Sequence, residues 1–412
     1  MSSKFTKKCT LFFNCAILLI GTVSANGQAG KLDRTFGVGG IATKQSVITQ
    51  LTNSFAVGTV AIQSDGKIVV AGGVPGSNGF TVPAVLRFLS NGGLDTSFGA
   101  KGVAVPPNRF GSYGAAAIQP DGKIVVGTSG ISSVNGEVDR FTSTGKLDSS
   151  FGSNGAVTFK LSSVSGIALQ PDGRILADVQ SLIEGKSQVA RLLANGSIDT
   201  SFGMNGFALP PGGTGALEVL ANGDILVFGN LISHLTSSGA IVVDFGVNGQ
   251  LMAPNGGHAL AANGDILAAG TLVSDPAVPS AGFAAFAYQS VGIGDPAFGK
   301  NGGVSTPLTN FPSITVAGMG LESSGSIVEL GTASSRTLGA FGLVRYTSQG
   351  QLDTGFGSGG TVTTSFGNTS IPIASAIAIQ SDDKIVVAGT VLTNILHGQF
   401  NTDLVVARYL GK

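Results

Sequence analysis

Short apolar runs and turn sequences alternate along most of the chain. In the clearest copy, apolar runs at 115–119 and 123–127 flank Pro120-Asp121-Gly122. Pro fixes φ, Asp bonds to nearby main chain and Gly accepts positive φ, so these residues are typical of a tight turn and the two runs predict a β-hairpin. The second run of several copies, such as 67–71, is apolar at every position after its initial Lys, which indicates a sheet covered on both faces.

The pattern returns seven times, and each copy contains Phe-Gly-x-x-Gly. The copies begin at Phe36, Phe98, Phe151, Phe202, Phe245, Phe298 and Phe356. Each copy is long enough for four short strands, and repeats of this length predict stacked supersecondary units. Blades that cover one another also explain strands without a polar face. We therefore predict an all-β fold, a seven-bladed β-propeller of four-stranded antiparallel blades.

The end of the chain continues the phrase with which the repeats begin. The segment 404–412 reads LVVARYLGK, and it stops where 30–33, GKLD, resumes. Joined head to tail, the two ends complete one copy of the repeat. This predicts a closed ring, because closure removes the exposed sheet edges that an open array of blades would leave.

Two phrases together, AIQxDGKIVVAG and RxxxxGxLDxSFGxxG, resemble the delta-60 repeat family of bacteria. The resemblance covers about 30–412; it is specific in copies one, two, three, six and seven, and degraded around 234–303. It implies a β-propeller. It implies no catalytic residues, because the family has no shared ones and no established biochemical activity.

Several recurrent residues are interpreted as structural. Phe98 is expected to be a ring buried between blades, with Gly99 and Gly102 at positive-φ turn positions. Asp121 and Gly122 are expected to shape the hairpin turn. A phosphate-binding glycine loop is the alternative for Phe-Gly-x-x-Gly, but such loops precede a helix, and no segment here has helical periodicity.

A charged pair also recurs. An Asp three residues before the repeat Phe is present as Asp33, Asp95, Asp148, Asp199, Asp295 and Asp353, and an Arg further upstream as Arg87, Arg140, Arg191, Arg345 and Arg408. One copy has His234 and Val242 at the two positions, and another has Ala287 for the Arg. A ring of carboxylates that binds metal or works as acid and base is one interpretation; an Asp that shapes each turn is favoured because it recurs. We hypothesise that Arg87 pairs with Asp95.

The first 25 residues are a different kind of sequence. Lys4, Lys7 and Lys8 precede an apolar run at 11–23, and Ala25 ends a small-x-small site, which is the layout of a secretory signal peptide. The run is shorter than the ~20 residues of a membrane span. We therefore expect a signal peptide at 1–25 and an exported domain, secreted or periplasmic, at 26–412 that has no membrane span.

Removal of this segment changes the chemistry open to the chain. Both cysteines, Cys9 and Cys15, leave with it, which excludes a thiol enzyme, a zinc-thiolate site and an iron–sulfur protein. Three of the 23 Lys and Arg also leave, so that 20 remain against 23 Asp and Glu, a net charge of −3. Nucleic-acid binding needs a basic patch, and this chain has no basic run.

No catalytic, metal or cofactor motif stands out. The three histidines, His234, His258 and His397, form none of the spacings that bind metal or activate a nucleophile, and no Asp-rich calcium loop is present. The segments that follow the KIVVAG strand vary most, and they should share one rim, opposite the DGK and LDxxFG turns: 73–82, 128–136, 178–187, 272–282, 332–339 and 391–402. Function on a scaffold lies in such loops.

The fifth copy departs most from the repeat, around Pro276 and Pro279, and there we predict binding residues: His258, Phe283, Phe286 and Tyr288. The predicted function is a secreted, monomeric, non-enzymatic scaffold that binds an extracellular protein or polysaccharide. Two alternatives remain open. One is a hydrolase or lyase with its site in the central channel, built from off-repeat residues such as Asp178, Glu218, His258, Glu322 and Glu329. The other is a structural domain of the cell envelope.

Overall fold

The computed structural model describes residues 29–43, 54–76, 80–129, 135–182, 185–213, 215–254, 256–272, 282–308, 310–336, 338–367, 370–395 and 399–412. Over these residues, 28 strands form seven four-stranded antiparallel sheets, and no helix is present. The predicted seven-bladed β-propeller is thus confirmed. The predicted signal peptide, His397, Pro276 and Pro279 lie outside the described residues.

The strands follow the repeat in chain order. Blades 1 to 4 contain β2 (Ala56–Ile62), β3 (Ile68–Pro75), β4 (Thr81–Phe88) and β5 (Val103–Ala104); β6 (Ser112–Ile118), β7 (Ile124–Ser129), β8 (Gly136–Phe141) and β9 (Ala156–Phe159); β10 (Ser162–Leu169), β11 (Ile175–Ser181), β12 (Ser187–Leu192) and β13 (Phe207–Ala208); β14 (Ala216–Val219), β15 (Ile225–Phe228), β16 (Ile232–Leu235) and β17 (Gln250–Leu251). Blades 5 to 7 contain β18 (Gly257–Leu260), β19 (Ile266–Leu272), β20 (Gly282–Tyr288) and β21 (Gly303–Pro307); β22 (Ser313–Leu321), β23 (Ile327–Ser334), β24 (Gly339–Tyr346) and β25 (Thr361–Thr364); β26 (Ser370–Ile379), β27 (Ile385–Ile395), β28 (Gln399–Tyr409) and β1 (Ile41–Thr43).

The first strand of each blade is innermost, a point that the repeat pattern left open. Within every sheet the strands follow one another outward in order, and the first strands of all seven blades line one central cavity. In five of these strands the pairing register skips one residue, which is the mark of a β-bulge. The skipped residues are Gly58, Gly114, Ser165, Ala317 and Ser375.

Antiparallel order places alternate connections on opposite rims. In blade 1, the connections 63–67 and 89–102 lie on one rim, here called the turn rim, together with their equivalents. The end of β3, the start of β4, the connection 105–111 and the equivalent described residues of other blades lie on the other, here called the variable rim. The prediction that the variable segments share one rim, opposite the DGK and LDxxFG turns, is confirmed for those of their residues that the structure describes.

Blade 7 closes the ring with both ends of the described chain. Its three inner strands come from 370–409, and its outer strand is β1, which pairs with β28 through Ile41 and Ala407. The Gly30 N–H donates to the carbonyl oxygen of Leu410 at 2.7 Å. The same hydrogen bond occurs inside the continuous chain of blade 2, where the Gly145 N–H donates to the carbonyl oxygen of Thr142. The predicted closure is confirmed.

The Phe-Gly turn is the joint between neighbouring blades. Phe98 is fully buried and contacts the turn of blade 2, where a Cβ on Gly145 would lie 2.6 Å from the Gly99 nitrogen and 2.9 Å from the Phe98 ring. Gly99 and Gly102 have φ of 51° and 97°, as expected for turn glycines. A side chain at Gly145 would therefore separate the two blades.

An ion pair holds each regular blade to its turn. Arg87 Nε donates to Asp95 Oδ2 at 2.9 Å, and the guanidinium lies 4.5 Å from the Phe98 ring centre. The predicted pairing is confirmed in five blades, as Arg87–Asp95, Arg140–Asp148, Arg191–Asp199, Arg345–Asp353 and Arg408–Asp33. Burial raises the pKa of Asp95, but hydrogen bonds from Ser97 and the Arg87 charge outweigh it and lower that pKa overall.

Candidate functional site

The central channel contains a cavity of about 600 Å³. Glycine, alanine and serine form much of its wall, because the bulged inner strands approach one another there; a Cβ on Gly58 would lie 1.9 Å from the carbonyl oxygen of Tyr113. Blades 1, 2, 6 and 7 contribute small or apolar residues such as Gly114, Ala317 and Ser375, together with Thr59. This part of the wall offers few side-chain functional groups.

Blades 4 and 5 contribute a different wall. Glu218 and His258 stand on their inner strands β14 and β18, at positions that carry Ala61 and Val60 in blade 1. Phe228, at the end of β15, and Asn230, in the connection that follows, also line the cavity. We call these four residues, Glu218, Phe228, Asn230 and His258, the blade 4/5 wall. Phe228 and Asn230 were not among the sequence candidates, although Phe228 replaces Ala71 of blade 1.

The short strands of blade 4 make room for this wall. Its first three strands have four residues each, whereas those of blade 3 have eight, seven and six. The turn 229–231 follows β15 directly, so no long connection covers the cavity at this blade. Asn230 and Phe228 are thereby placed at the channel mouth on the variable rim.

The geometry of the blade 4/5 wall places a base beside an acid on an aromatic support. His258 Nε2 lies 3.6 Å from Glu218 Oε1, slightly beyond hydrogen-bond range. The imidazole stacks on the Phe228 ring with centroids 4.0 Å apart and planes 21° apart. The side chains of His258 and Glu218 are 22% and 39% exposed. A hydroxyl group between the two could accept from one and donate to the other.

Asp178 lies behind the channel wall, not in it. Its Oδ2 accepts hydrogen bonds from Ser165 Oγ at 2.7 Å and from the Gly215 N–H at 2.8 Å, so that it joins blade 3 to blade 4. Burial raises the pKa of Asp178 to about 7. Thr332 makes the comparable link between blades 6 and 7 with the Ala374 N–H. Asp178 is therefore a link between inner strands, and only Ser165 reaches the cavity.

The two other acids considered for a channel enzyme lie elsewhere. Glu322 accepts hydrogen bonds from Arg345 Nη1 at 3.2 Å and stands where blades 1 and 7 have Gln63 and Gln380. Burial raises the pKa of Glu322 to about 7. Glu329 is fully buried on β23, and neither carboxylate oxygen has a hydrogen-bond partner among the described residues. Burial raises the pKa of Glu329 well above its usual range. Neither lines the channel cavity.

The predicted binding residues of the fifth copy do not come together. Phe283 is fully buried in the core between blades 5 and 6, so its assignment as a binding residue is wrong; the run of apolar residues in β20 reflects packing. Phe286 and Tyr288 lie half-buried on the same third strand, and Tyr288 packs against the core between blades 4 and 5. Of the four, His258 alone lines the channel cavity.

Neither a metal centre nor a membrane helix is found in the part of the chain that the structure describes. No group of three or more His, Cys, Asp or Glu in these ranges is arranged to hold a metal ion. No helix in them has the length and apolar character needed to cross a membrane.

Comparison with known families agrees with the fold. Segments 63–98, 119–151, 170–202 and 322–356 match the family model "Domain of unknown function (DUF5122) beta-propeller". The chain is a β-propeller repeat protein. The matched segments lie in blades 1, 2, 3 and 6, and blades 4, 5 and 7 are not matched. Assignment to the delta-60 repeats and a bacterial origin stay predictions.

Solved structures resemble the chain only distantly. Polysaccharide lyase Uly1 is 11% identical with a TM-score of 0.45, covering 92% of this chain and 97% of its own. The PQQ-bound aldose sugar dehydrogenase of Streptomyces coelicolor is 13% identical with a TM-score of 0.41, covering 71% of this chain and 93% of its own. A search of curated proteins found no match. Likenesses this weak carry no information on ligand or activity.

Proposed function

We propose that the protein is a non-enzymatic binding module that holds an extracellular polysaccharide at its variable rim and channel mouth. The observation that supports the proposal is the one-sided channel. Glu218, Phe228, Asn230 and His258 all come from the two blades that depart from the repeat, and they line one side of a cavity whose other side is mostly small residues. Blades 4 and 5 thus supply the groups that the repeat does not need.

The chemistry of the blade 4/5 wall suits a ligand rich in hydroxyl groups. A sugar presents C–H faces that pack on aromatic rings, and hydroxyls that both donate and accept. Glu218 and Asn230 offer acceptors, Asn230 and His258 offer donors, and Phe228 supports the imidazole from behind. A cavity of about 600 Å³ is within the usual size range of ligand sites.

Binding is favoured over catalysis because acid–base chemistry needs several groups that converge on one reacting atom. Asp178, Glu322 and Glu329 are turned away from the cavity, so that His258 and Glu218 are left as the ionisable pair within it. A hydrolase or lyase that uses this pair is the second candidate, supported by their 3.6 Å separation. Release of reducing or unsaturated sugar ends from polysaccharides would reveal it.

Affinity electrophoresis in gels that contain neutral, acidic or cationic polysaccharides tests the proposal. We expect retardation of the wild-type chain in at least one gel, and binding about tenfold weaker for Glu218→Gln and for His258→Ala. Ser375→Ala is the matched control, because Ser375 lines the same cavity from blade 7. Equal binding by all three variants would exclude the blade 4/5 wall, and no retardation in any gel would exclude polysaccharide binding.

Export to the periplasm or the medium is part of the proposal. The support is the layout of residues 1–25, with three lysines before an apolar run and a small-x-small site that ends at Ala25. When the full chain is expressed in a bacterium, mass spectrometry of the exported protein should find a chain that begins at Asn26. A cytoplasmic chain that keeps its first 25 residues would contradict this part.

A further inference from the structure

A second group of off-repeat side chains lies on the variable rim, between blades 1 and 2. Phe80 precedes β4, and Phe110 stands in the connection that leads into β6. Their rings meet edge to face, with centroids 5.8 Å apart and planes 70° apart. They are 51% and 36% exposed, and among the phenylalanines whose side chains the structure describes no others are exposed to this extent. Exposed aromatic rings grouped on a rim are typical of recognition surfaces.

A charged cluster begins at Arg109, the residue next to Phe110 in the chain. Arg109 places Nε 2.6 Å from Glu137 Oε2 and 3.6 Å from Asp139 Oδ1. Tyr113 donates its hydroxyl to Asp139 Oδ2 at 2.6 Å, and Thr158 donates to Glu137 Oε1 at 3.3 Å. The Arg109 and Glu137 side chains are partly exposed, whereas Asp139 is fully buried beneath them.

The other blades that keep the Arg of the third strand have no carboxylate at the position of Asp139. Counted from the Arg of each third strand, the position of Asp139 is occupied by Leu86, Ala190, Val344 and Ala407 in other blades, all of them apolar. A buried carboxylate in place of an apolar residue costs free energy unless it is paired. Asp139 Oδ1 nevertheless has no hydrogen bond among the described residues. Asp139 pairs with the buried Tyr113 hydroxyl and lies beneath Arg109, so that it positions the partly exposed guanidinium above it.

We propose that Phe80, Phe110, Arg109 and Glu137 form a second subsite that holds a neutral sugar unit of a polysaccharide. The rings offer apolar surface for the C–H face of a pyranose. The guanidinium and the carboxylate are planar groups at fixed separation, which suits a pair of vicinal hydroxyls that accept from one and donate to the other. Two carboxylates against one guanidinium disfavour an acidic sugar.

This inference rests on the proposed function, since it assigns a second contact for the same ligand. The subsite lies between blades 1 and 2 on the variable rim, and the blade 4/5 wall reaches the same rim through Asn230, in the connection between β15 and β16. A polymer that reaches both would gain from the high effective concentration of the second contact. Long oligosaccharides should therefore bind more tightly than short ones.

The absence of tryptophan from the chain permits a local test. Phe110→Trp would place the single Trp of the protein in the subsite, and Leu338→Trp would place it on the same rim at blade 6, where Leu338 is 45% exposed. Each full-length variant is titrated with neutral gluco-, galacto-, manno- and xylo-oligosaccharides of six units. We expect at least one oligosaccharide to shift the emission of Phe110→Trp, with no shift for Leu338→Trp.

Further substitutions on the Phe110→Trp background separate this inference from the proposed function. Phe80→Ala and Glu137→Gln should each weaken the response at least fivefold, because they remove a ring face and a charged acceptor. Unchanged affinity in both, or silent Phe110→Trp emission while the same protein is retarded in polysaccharide gels, would overturn the subsite and leave the channel proposal standing. A response only to acidic or cationic oligosaccharides would also overturn it. Failure of every gel and every titration would overturn both.

Discussion

Blades 3 and 4 are neighbours built from the same repeat, yet they are held in different ways. In blade 3, Arg191 Nε donates to Asp199 Oδ2 at 2.9 Å, its Nη1 donates to the Ser237 carbonyl of blade 4 at 2.6 Å, and its guanidinium lies 4.5 Å from the Phe202 ring centre. In blade 4 the corresponding Arg is His234. We call these contacts between the Arg of a blade, the Asp of its turn and the repeat Phe the lock of that blade. The strong charge-assisted lock of blade 3 is therefore missing from blade 4.

Three substitutions in blade 4 compensate for one another. His234 replaces the Arg and Val242 the Asp, while Asp224 stands where blade 3 has Arg174. His234 Nε2 lies 3.2 Å from Asp224 Oδ2, and its ring meets Phe245 edge to face at 5.3 Å. The carboxylate has thus moved from one turn to the other, and the imidazole still covers the repeat Phe.

The comparison teaches which part of the repeat the fold requires. Phe245 is as buried as Phe202, and Gly292 of the next blade approaches it as Gly239 approaches Phe202. The Phe-Gly joint therefore persists when the ion pair is lost. Blade 4 keeps its place in the ring with shorter strands and a weaker lock, and its first two strands and the connection after them carry Glu218, Phe228 and Asn230.

The largest effect is expected when the Arg of the blade 3 lock is replaced, and a smaller one when the His of blade 4 is replaced. Arg191→Gln removes two charge-assisted hydrogen bonds, to Asp199 and to the Ser237 carbonyl, although Asp199 keeps Arg174 at 3.0 Å, and it should lower the free energy of unfolding by about 3 kcal/mol. His234→Gln removes a weaker, partly exposed contact and should cost about 1 kcal/mol or less. Urea unfolding of both variants measures the difference. Equal losses would show that the two locks are equivalent.

A double-mutant cycle measures the lock itself. Arg87→Gln and Asp95→Asn should each destabilise blade 1, and the double variant should be more stable than the sum of the two losses predicts, with a coupling of about 2 kcal/mol. Contact between the residues at 2.9 Å is the reason. Additive losses in urea unfolding would contradict the pairing.

Asp178, between the two compared blades, should make stability depend on pH. Its folded-state pKa of about 7 lies above the ordinary 3.8, so the folded chain binds the extra proton. Its contribution is therefore fully present below about pH 4 and is lost as pH rises to about 7. Asp178→Asn keeps an acceptor for Ser165 and Gly215, and we expect it to be more stable than wild type at pH 8 by on the order of 2 kcal/mol.

Unfolding of wild type and Asp178→Asn at pH 5 and pH 8 tests this prediction. Thr332→Val is the matched control, since Thr332 makes the comparable link between blades 6 and 7 and does not titrate. It should lose about 1 kcal/mol at both pH values. A difference between Asp178→Asn and wild type that does not change with pH would show that Asp178 is charged in the folded chain.

The smallest effect restores the regular lock in blade 4. The triple variant Asp224→Lys, His234→Arg and Val242→Asp should raise the free energy of unfolding by about 1 kcal/mol, because it rebuilds the lock of blade 3. Retardation in polysaccharide gels should not change, since none of the three residues lines the channel cavity. A loss of stability would show that the altered lock is optimal for the shorter strands.

Much of the fold could be predicted from the sequence, but less of the site. The blade count, the closure at Asp33 and Arg408, and the turn geometry around Phe98 follow from a local pattern that occurs repeatedly, so each copy supports the others. Glu218 and His258 were candidates because they break the pattern. Phe283 breaks it as well, yet it packs between blades, because an off-repeat aromatic residue serves a core as readily as a site.

The sequence by itself determined the architecture, because the 3.3 Å rise and two-residue period of a strand translate local patterning directly into hairpins and stacked sheets. The tertiary structure alone decided which strand is innermost, and which off-repeat groups meet. Glu218 and His258 are 40 positions apart, and Phe80 and Phe110 are 30 apart; their contacts depend on how neighbouring blades are aligned around the ring. Such contacts between blades leave no periodic trace, so they become visible only when the ring is closed.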